Sequence, residues 1–153
     1  MASSDSLDAI EPFLHELMQA VGPRQRQRLA DKRMRLARRA NAERIAANVT
    51  PDGGAMAARK KRPPGGKRGK MFRRIGKTGS LKTRATPDGG ELRFANPMVE
   101  DTAATHHFGL QGFVGKTRAG RVVRTKYQAR ELLGHGPERE EYLDEVLRHL
   151  TGE

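Results

Sequence analysis

Two adjacent histidines, His106 and His107, are the one cluster in the sequence whose side chains suit metal binding or acid–base chemistry. The chain has no cysteine, so disulfides, zinc knuckles and thiol nucleophiles are excluded, and only histidine and carboxylates remain as metal ligands. On a helix, consecutive side chains point about 100° apart, so these two imidazoles cannot bind one ion from one face. We therefore expect a structural or interface role for the pair.

Other catalytic patterns are weaker still. Glu100 or Asp101 could in principle pair with His106, but no serine stands in a nucleophile-elbow context. The glycine-rich stretch at residues 65–70 lacks the spacing of a phosphate-binding loop, and no hydrophobic strand precedes it. The sequence predicts no enzyme activity, no cofactor and no metal, and a small hydrolase that uses His106 or His107 is the weakest hypothesis.

Positive charge is the strongest chemical signal, and it is unevenly distributed. The 153 residues include 30 Lys and Arg against 18 Asp and Glu, a net charge of +12. Residues 21–84 hold 21 basic and three acidic side chains, whereas residues 1–20 and residues 133–153 each have a net charge of −4. This separation favours either binding of a polyanion or head-to-tail pairing between copies of the chain.

The basic residues are densest in residues 55–70, where Pro and Gly interrupt the charge. Such a segment cannot bury enough apolar surface to fold alone, so we expect an extended basic arm. Only Phe72 is nearby to stack on a base, which favours contact with a phosphate backbone over base reading; the alternative is a solvated linker. The expected polyanion or subunit-interface residues are Arg59, Lys60, Lys61, Arg62, Lys67, Arg68, Lys70, Arg73 and Arg74.

Hydrophobic spacing predicts two helices before the arm. Apolar residues recur at three- and four-residue steps over residues 5–20, and Gly22-Pro23 ends that helix and begins the next. From Arg24 to about Asn48 the chain is free of Gly and Pro and rich in strong helix formers. Arginines cover this long basic helix except along a thin stripe formed by Leu29, Leu36, Ala37, Ala40, Ile45 and Ala47.

Short strands and helices are expected after the arm. Residues 71–75 predict a helical turn, and residues 81–85 and 92–94 predict two strands around the turn Thr86-Pro87-Asp88-Gly89-Gly90. A short helix is expected over residues 101–108, then a strand pair at residues 113–114 and 121–124 around a basic tip. Gly136-Pro137 begins the last helix, whose apolar stripe is Tyr142, Leu143, Val146, Leu147 and Leu150.

The predicted fold class is α+β: an N-terminal helical hairpin with a long basic second helix, a small antiparallel sheet, a C-terminal helix and an extended basic loop. Residues 1–153 are expected to form a single domain, with residues 55–70 as the arm. A hydrophobic fraction of 35% predicts a small core. No apolar run is long enough to span a bilayer and the N-terminus is acidic, so we expect a soluble protein made in a reducing compartment.

Several short motifs occur together in one order along the chain. The sequence Arg44-Ile45-Ala46-Ala47-Asn48 precedes Pro51, Asp52 and Gly53, and the basic arm leads to Met71 and Phe72. Next come His107 and Gly109, then the run that contains Arg130, Leu132, Leu133 and Gly134, and finally Leu147-Arg148-His149-Leu150. In order and spacing this set resembles the phage virion morphogenesis family, the tail completion proteins of contractile-tailed and Mu-like phages. Gln128 and Glu131 stand where that family usually has prolines, and Ala55-Met56 where it often has a larger aromatic residue.

The resemblance implies a structural virion protein that completes or terminates the tail at its head-proximal end and enables head–tail joining. It implies a ring of copies, expected to be a hexamer that matches the sixfold tail. The implied partners are the tail tube or sheath and the head connector or neck proteins, with non-specific contact to genomic DNA and no membrane. The implied location is the tail or neck of the virion, after assembly in the host cytoplasm. The alternative from charge alone is a non-specific nucleic-acid-binding protein of ribosome-associated or nucleoid type.

Overall fold

The structure, a computed structural model, describes residues 12, 15, 21–59 and 71–151. Of the helix expected over residues 5–20, the structure describes only Pro12 and His15, which are both helical; the rest lies outside the described residues, as does the arm from residue 60 to residue 70. The rest confirms the expected α+β class, with three helices and two antiparallel sheets. In chain order the elements are α1 (Pro23–Ala47), a 3-10 turn (Thr78–Ser80), β1 (Leu81–Thr86), β2 (Gly89–Phe94), α2 (Pro97–His107), β3 (Gln111–Lys116), β4 (Val122–Lys126) and α3 (Glu138–Thr151).

Helix α1 runs for 25 residues and ends where Asn48 adopts a left-handed conformation with a φ of 59°. The backbone N–H of Asn48 donates to carbonyl oxygens of the last turn, which is a common way for a helix to stop. The buried face of α1 is rotated from the predicted stripe. The buried residues recur at three- and four-residue steps and are Ala30, Met34, Ala37, Asn41 and Ile45, with Ala42 next to them. Of the predicted stripe, Leu29, Leu36 and Ala40 are only half-buried, and Ala47 is exposed.

The small buried side chains of α1 let the first hairpin approach closely. Strands β1 and β2 pair from Leu81 opposite Phe94 to Thr86 opposite Gly89, around a two-residue loop. A Cβ atom on Gly90 would lie 2.5 Å from Cγ of Met34, so a larger residue there would require the buried Met34 side chain to shift. Strands β3 and β4 form a separate two-stranded sheet, whereas the sequence predicts a single small sheet.

Helix α2 begins four residues earlier than the spacing of its apolar residues predicts. The Oδ1 atom of Asn96 accepts a hydrogen bond from the N–H of Val99 (2.9 Å), and Pro97 follows as the first helical residue. Asn is a strong N-cap and Pro fits the first position, so the local chemistry at 96–97 extends the helix toward its N-terminus.

The core is small and lies where α1, the first hairpin and α2 meet. Its buried hydrophobic members are Ala42, Ile45, Met56, Ile75, Leu81, Phe94, Ala103 and Leu132. Ile75 belongs to this cluster and Phe72 packs against it, so the turn at residues 71–76 is attached to the core by both side chains. None of the described helices is long and apolar enough to cross a membrane.

Candidate functional site

Residues 127–136, which we call the closing segment, connect β4 to α3 without regular secondary structure and contact several distant parts of the chain. Asn41, which is 1% exposed, binds the segment at Gly134 in both directions. Its Oδ1 atom accepts from the N–H of Gly134 (3.0 Å), and its Nδ2 atom donates to the carbonyl oxygens of Gly134 (3.2 Å) and Ala37 (2.8 Å). The Asn41 side chain therefore makes the hydrogen bonds to the Gly134 backbone that a helix or sheet would otherwise supply.

We expect Asn41→Ala to lower the free energy of unfolding by about 2 kcal/mol, because it leaves the Gly134 N–H without its acceptor and two carbonyl groups with fewer donors. Gln27→Ala, at an exposed position of the same helix, serves as the matched control and should change stability by less than about 0.5 kcal/mol. Urea unfolding followed by circular dichroism measures both. Equal stability of the two variants would contradict the structural role of Asn41.

Arg44 forms a second tie between α1 and the end of the closing segment. Its Nη1 atom donates to Oε2 of Glu138 at 2.7 Å, and its Nη2 atom donates to the Gly134 carbonyl at 2.9 Å. The side chains of Arg44 and Glu138 are only 13% and 11% exposed. Burial raises the pKa of Glu138, but hydrogen bonds from Arg44 and from the Gly136 N–H outweigh it, and the net pKa lies below the ordinary value. The pair is therefore ionised at neutral pH.

The acidic C-terminal helix lies on the basic α1 within one chain. Lys32 and Glu145 form an ion pair with a distance of 2.7 Å, and the Arg33 guanidinium lies 4.9 Å from the ring centroid of Tyr142. A groove of about 290 Å³ between the two helices and the β1–β2 loop has mainly apolar walls, which include Leu29 and Val146. Some of the basic residues of α1 and acidic residues of α3 thus pair with each other within one chain.

Arg130 holds the chain at the start of the basic arm. Its Nε atom donates to the carbonyl oxygen of Ala57 at 2.7 Å, and its Nη2 atom donates to that of Ala58 at 3.0 Å. A third bond links Nη1 to the Gln128 carbonyl, and the residue is 6% exposed. The guanidinium fork thus fixes two consecutive peptide groups next to Arg59, where the described part of the arm ends.

His106 lies beside the other end of the arm. Its ring centroid is 5.0 Å from that of Phe72 and 4.5 Å from that of Tyr127, both in edge-on geometry. Burial and the charge of Arg130 lower the pKa of His106, so the imidazole is neutral at pH 7. Its Nδ1 atom is buried without a hydrogen-bond partner among the described residues. Within that part of the chain, His106 acts as an aromatic packing residue.

His107 points elsewhere. Its Nδ1 atom accepts a hydrogen bond from the N–H of Leu132 (3.1 Å), and its ring contacts Phe108. The two imidazoles thus diverge, and neither meets a carboxylate in the described part of the chain. Over residues 12, 15, 21–59 and 71–151, no group of three or more His, Cys, Asp or Glu residues is arranged to hold a metal.

Pro51 and Gly109 approach the closing segment, to which Leu132, Leu133 and Gly134 belong. A Cβ atom on Gly134 would lie 2.5 Å from Cγ of the buried Pro51, and one on Gly109 would lie 2.8 Å from the Ala129 nitrogen. Leu132 is 1% exposed in the core and Leu133 packs against it. Met71 is half-buried at the start of the turn that carries Phe72.

The turn after α1 is stabilised locally. The carboxylate of Asp52 accepts hydrogen bonds from the Thr50 hydroxyl and the Gly54 N–H, which lower the pKa of that carboxyl. Gly53 has a φ of +87°, a conformation that favours glycine. The hydrogen bonds of Asp52 and the conformation of Gly53 explain how the Pro51-Asp52-Gly53 motif turns the chain from α1 toward the arm.

The expected polyanion residues are only partly within the described chain. Arg59, Arg73 and Arg74 are exposed there, next to the two ends of the arm. Six lie outside the described residues, and they are Lys60, Lys61, Arg62, Lys67, Arg68 and Lys70. The role of this group in binding stays a prediction.

Asn41, Arg44 and Glu138 are not among the candidate site residues predicted from the sequence. Asn41 lies four residues after Ala37 and four before Ile45, so it occupies the apolar face as a lone polar residue. That position is a readable signal of a buried hydrogen-bonding amide. Arg44 stands in the sequence as the first residue of the motif Arg44-Ile45-Ala46-Ala47-Asn48, but nothing in the local sequence indicates a buried ion pair there.

The sequence as a whole is similar to known phage proteins. The model of the phage virion morphogenesis family matches residues 5–151. The chain is 29% identical over 145 residues to tail completion protein S of Escherichia phage P2, an alignment that covers 92% of this chain and 94% of that protein. No solved structure matches. Since the family model spans nearly the whole sequence, the chain belongs to the phage virion morphogenesis family.

Proposed function

We propose that this protein is a structural component of a phage tail, which completes the tail at its head-proximal end and makes it competent to join a head. The observation that carries the proposal is the full-length similarity to a tail completion protein, which covers 92% of this chain. The range matched by the family model includes the motif residues in and around the closing segment, such as His107, Arg130 and Gly134. In this proposal those residues stabilise the fold, and the protein acts by binding other proteins through its surfaces.

The proposed assembly is a ring of copies, a hexamer on the sixfold tail, between the tail tube or sheath and the head connector or neck proteins. In a ring, one surface of each copy meets a different surface of the next. The small core and the exposed apolar side chains, which include Met98, Phe108 and Phe113, support a protein that becomes fully packed only in an assembly. The arm, with Arg59 exposed at its start, would face either the DNA channel or a neighbouring subunit.

The assembly role is tested by deleting the gene from the phage that encodes it and imaging the lysate by negative-stain electron microscopy. The expected result is filled heads beside separate tails with an abnormal head-proximal end. Purified wild-type protein added to that lysate should restore joined particles. Normal tails that join heads without the protein would overturn the proposal.

A non-specific nucleic-acid-binding protein is the second candidate, favoured by the net charge of +18 over residues 21–84. It predicts binding to generic duplex DNA or RNA with a steep salt dependence. The variant Lys60→Glu/Lys61→Glu/Arg62→Glu removes charge from the arm. The variant Lys77→Glu/Lys82→Glu/Arg93→Glu makes the same change in net charge at exposed positions outside it.

Under the tail proposal, the arm variant loses DNA binding in a fluorescence anisotropy titration while it still restores joined particles. If the arm variant loses both activities and the control variant loses neither, the arm is needed for assembly, at the DNA or at a subunit contact. The second candidate is favoured if the gene proves dispensable for head joining while the protein still binds DNA.

A further inference from the structure

The second hairpin presents an exposed face that is both apolar and cationic. Side chains alternate along a strand, so Val122, Arg124 and Lys126 share one side of β4. Their register partners in β3 include Lys116 and Phe113, which face the same side. Phe113 is 61% exposed and Val122 is 50% exposed. We call these five residues, Phe113, Lys116, Val122, Arg124 and Lys126, the hairpin face.

The opposite side of this hairpin rests on the body of the protein. A Cβ atom on Gly112 would lie 2.7 Å from the ring of Tyr127 and 3.0 Å from Cγ2 of Thr105, which belongs to α2. The hairpin face therefore points away from α2. A two-stranded hairpin is marginally stable on its own, and one with an exposed phenylalanine gains stability when its open face is covered.

Helix α3 presents a second exposed face of opposite charge. Glu140, Leu143, Asp144 and Leu147 follow the spacing of one helix side, and we call them the helix face. Leu143 is 48% exposed and Leu147 is 50% exposed. The Glu145 carboxylate and the Tyr142 ring contact α1 from another side of α3, whereas Leu143, at the edge of the helix face, also lines the groove between the two helices.

The two faces have complementary chemistry. Each has two exposed apolar side chains, and the hairpin face adds three cations where the helix face adds two carboxylates. Residues 111–126 contain five Lys and Arg and no acidic residue. None of the charged side chains in either face forms an ion pair with another described residue. By contrast, the acidic residues Glu138 and Glu145 of α3 are already paired with α1.

We propose that the hairpin face of one copy packs on the helix face of the next copy. This rests on the proposed function, which requires copies to assemble, and it names the surfaces that meet. The two faces are different parts of one chain, so each contact leaves a free hairpin face at one end and a free helix face at the other. Such a contact closes into a ring when the rotation between neighbours divides a full turn, and in that ring the leucines cover Phe113 and Val122 while Glu140 and Asp144 meet the cations.

Charge reversal tests this pairing directly. The hairpin variant is Arg124→Glu/Lys126→Glu, and the helix variant is Glu140→Lys/Asp144→Lys. Like charges across a contact cost several kcal/mol, so each variant alone should associate about a hundredfold more weakly than wild type in sedimentation velocity. Mixed in equal amounts, the two variants should recover association, because the acidic hairpin face meets a basic helix face and the unaltered faces meet each other.

The matched control is Lys82→Glu/Arg93→Glu, which reverses two exposed cations on the first hairpin and should associate as wild type does. Circular dichroism spectra and thermal unfolding establish that each variant is folded. The proposal is overturned if the wild-type protein stays monomeric at the highest concentration reached, if either variant associates normally, or if the mixture fails to recover.

The lysate experiment separates this proposal from the function on which it rests. If the wild-type protein restores joined particles but the mixed variants do not associate, the tail role stands and the contact surfaces are wrong. If the mixture recovers but the gene is dispensable for head joining, the contact stands and the tail role falls.

Discussion

Arg44→Met is expected to lower the free energy of unfolding by about 3 kcal/mol, because it leaves the Glu138 carboxylate buried without its charged partner. The same change removes a hydrogen bond to the Gly134 carbonyl, so the contact between α1 and the closing segment is weakened at two points. Methionine keeps much of the apolar volume of the arginine stem, which limits the cavity contribution. Chemical denaturation at pH 7 measures the loss.

Arg35→Met on the same helix is the matched control. Arg35 pairs with Asp31 at 2.6 Å, but its side chain is 70% exposed. An exposed pair of this spacing contributes about 0.3–0.5 kcal/mol, so the control should lose little stability. A similar loss in the two variants would show that the buried position of Arg44 confers no special stability, and would contradict its role as a tie between α1 and the closing segment.

The pH dependence of Glu138→Gln gives an independent check. The pKa of Glu138 in the folded protein lies below its ordinary value, so ionised Glu138 contributes stability that is fully present above the unfolded-state pKa of about 4.3. That contribution is lost as the pH falls through the folded-state pKa. The stability difference between wild type and Glu138→Gln should therefore be largest near neutral pH and shrink below about pH 4. A difference that is constant from pH 7 to pH 3 would contradict the ion pair.

The parts of the fold that the sequence predicts are those set by local chemistry. The hairpin β1–β2 follows from alternating side chains around Pro87-Asp88, and α3 begins after Gly136-Pro137 as expected. Both signals lie within a few residues of the structure that they specify. The early start of α2 is also set by local chemistry, because Asn96-Pro97 is a common sequence for a helix N-cap and first position.

The candidate site depends on contacts that are distant along the chain. Asn41 and Gly134 are 93 positions apart, and Arg130 and Ala57 are 73 apart. The periodicity of apolar residues indicates the buried face of α1 only approximately. Which residues of α1 are buried depends on tertiary contacts such as the close approach of Gly90 to Met34. Arg44 is one of nine Lys and Arg in α1, and the local sequence gives no reason to expect the buried ion pair at this residue rather than at another. Long-range hydrogen bonds of this kind require the folded geometry.

The motif residues illustrate the same division. His107, Arg130, Leu132 and Gly134 stand out in the sequence because their order resembles a family, and the sequence assigns them no physical task. In the structure each has one: an acceptor for a backbone N–H, a donor to the arm, a core side chain and a close approach to Pro51. Met56 stands where the family often has a larger aromatic residue, and its side chain, which is 7% exposed, fills that place in the core.

Arg130→Lys is expected to release the start of the basic arm and to lower the free energy of unfolding by about 2 kcal/mol. Lysine keeps the positive charge, but its single ammonium cannot reproduce the planar fork that reaches the carbonyls of Ala57 and Ala58 together. The loss of charge-assisted hydrogen bonds to these two carbonyls accounts for most of the cost. The retained charge makes this a test of geometry, since a charge effect alone predicts no change.

Limited trypsin digestion under native conditions, followed by mass spectrometry, reports the local effect. Cleavage after Arg59 should become about tenfold faster in Arg130→Lys, because opening of the adjacent backbone no longer has to break two hydrogen bonds to the fork. Arg121→Lys, at an exposed position in the tip of the second hairpin, is the matched control and should leave the rate after Arg59 unchanged. If the two variants are cut at the wild-type rate, Arg130 does not hold the arm, and the start of the arm is fixed by other contacts.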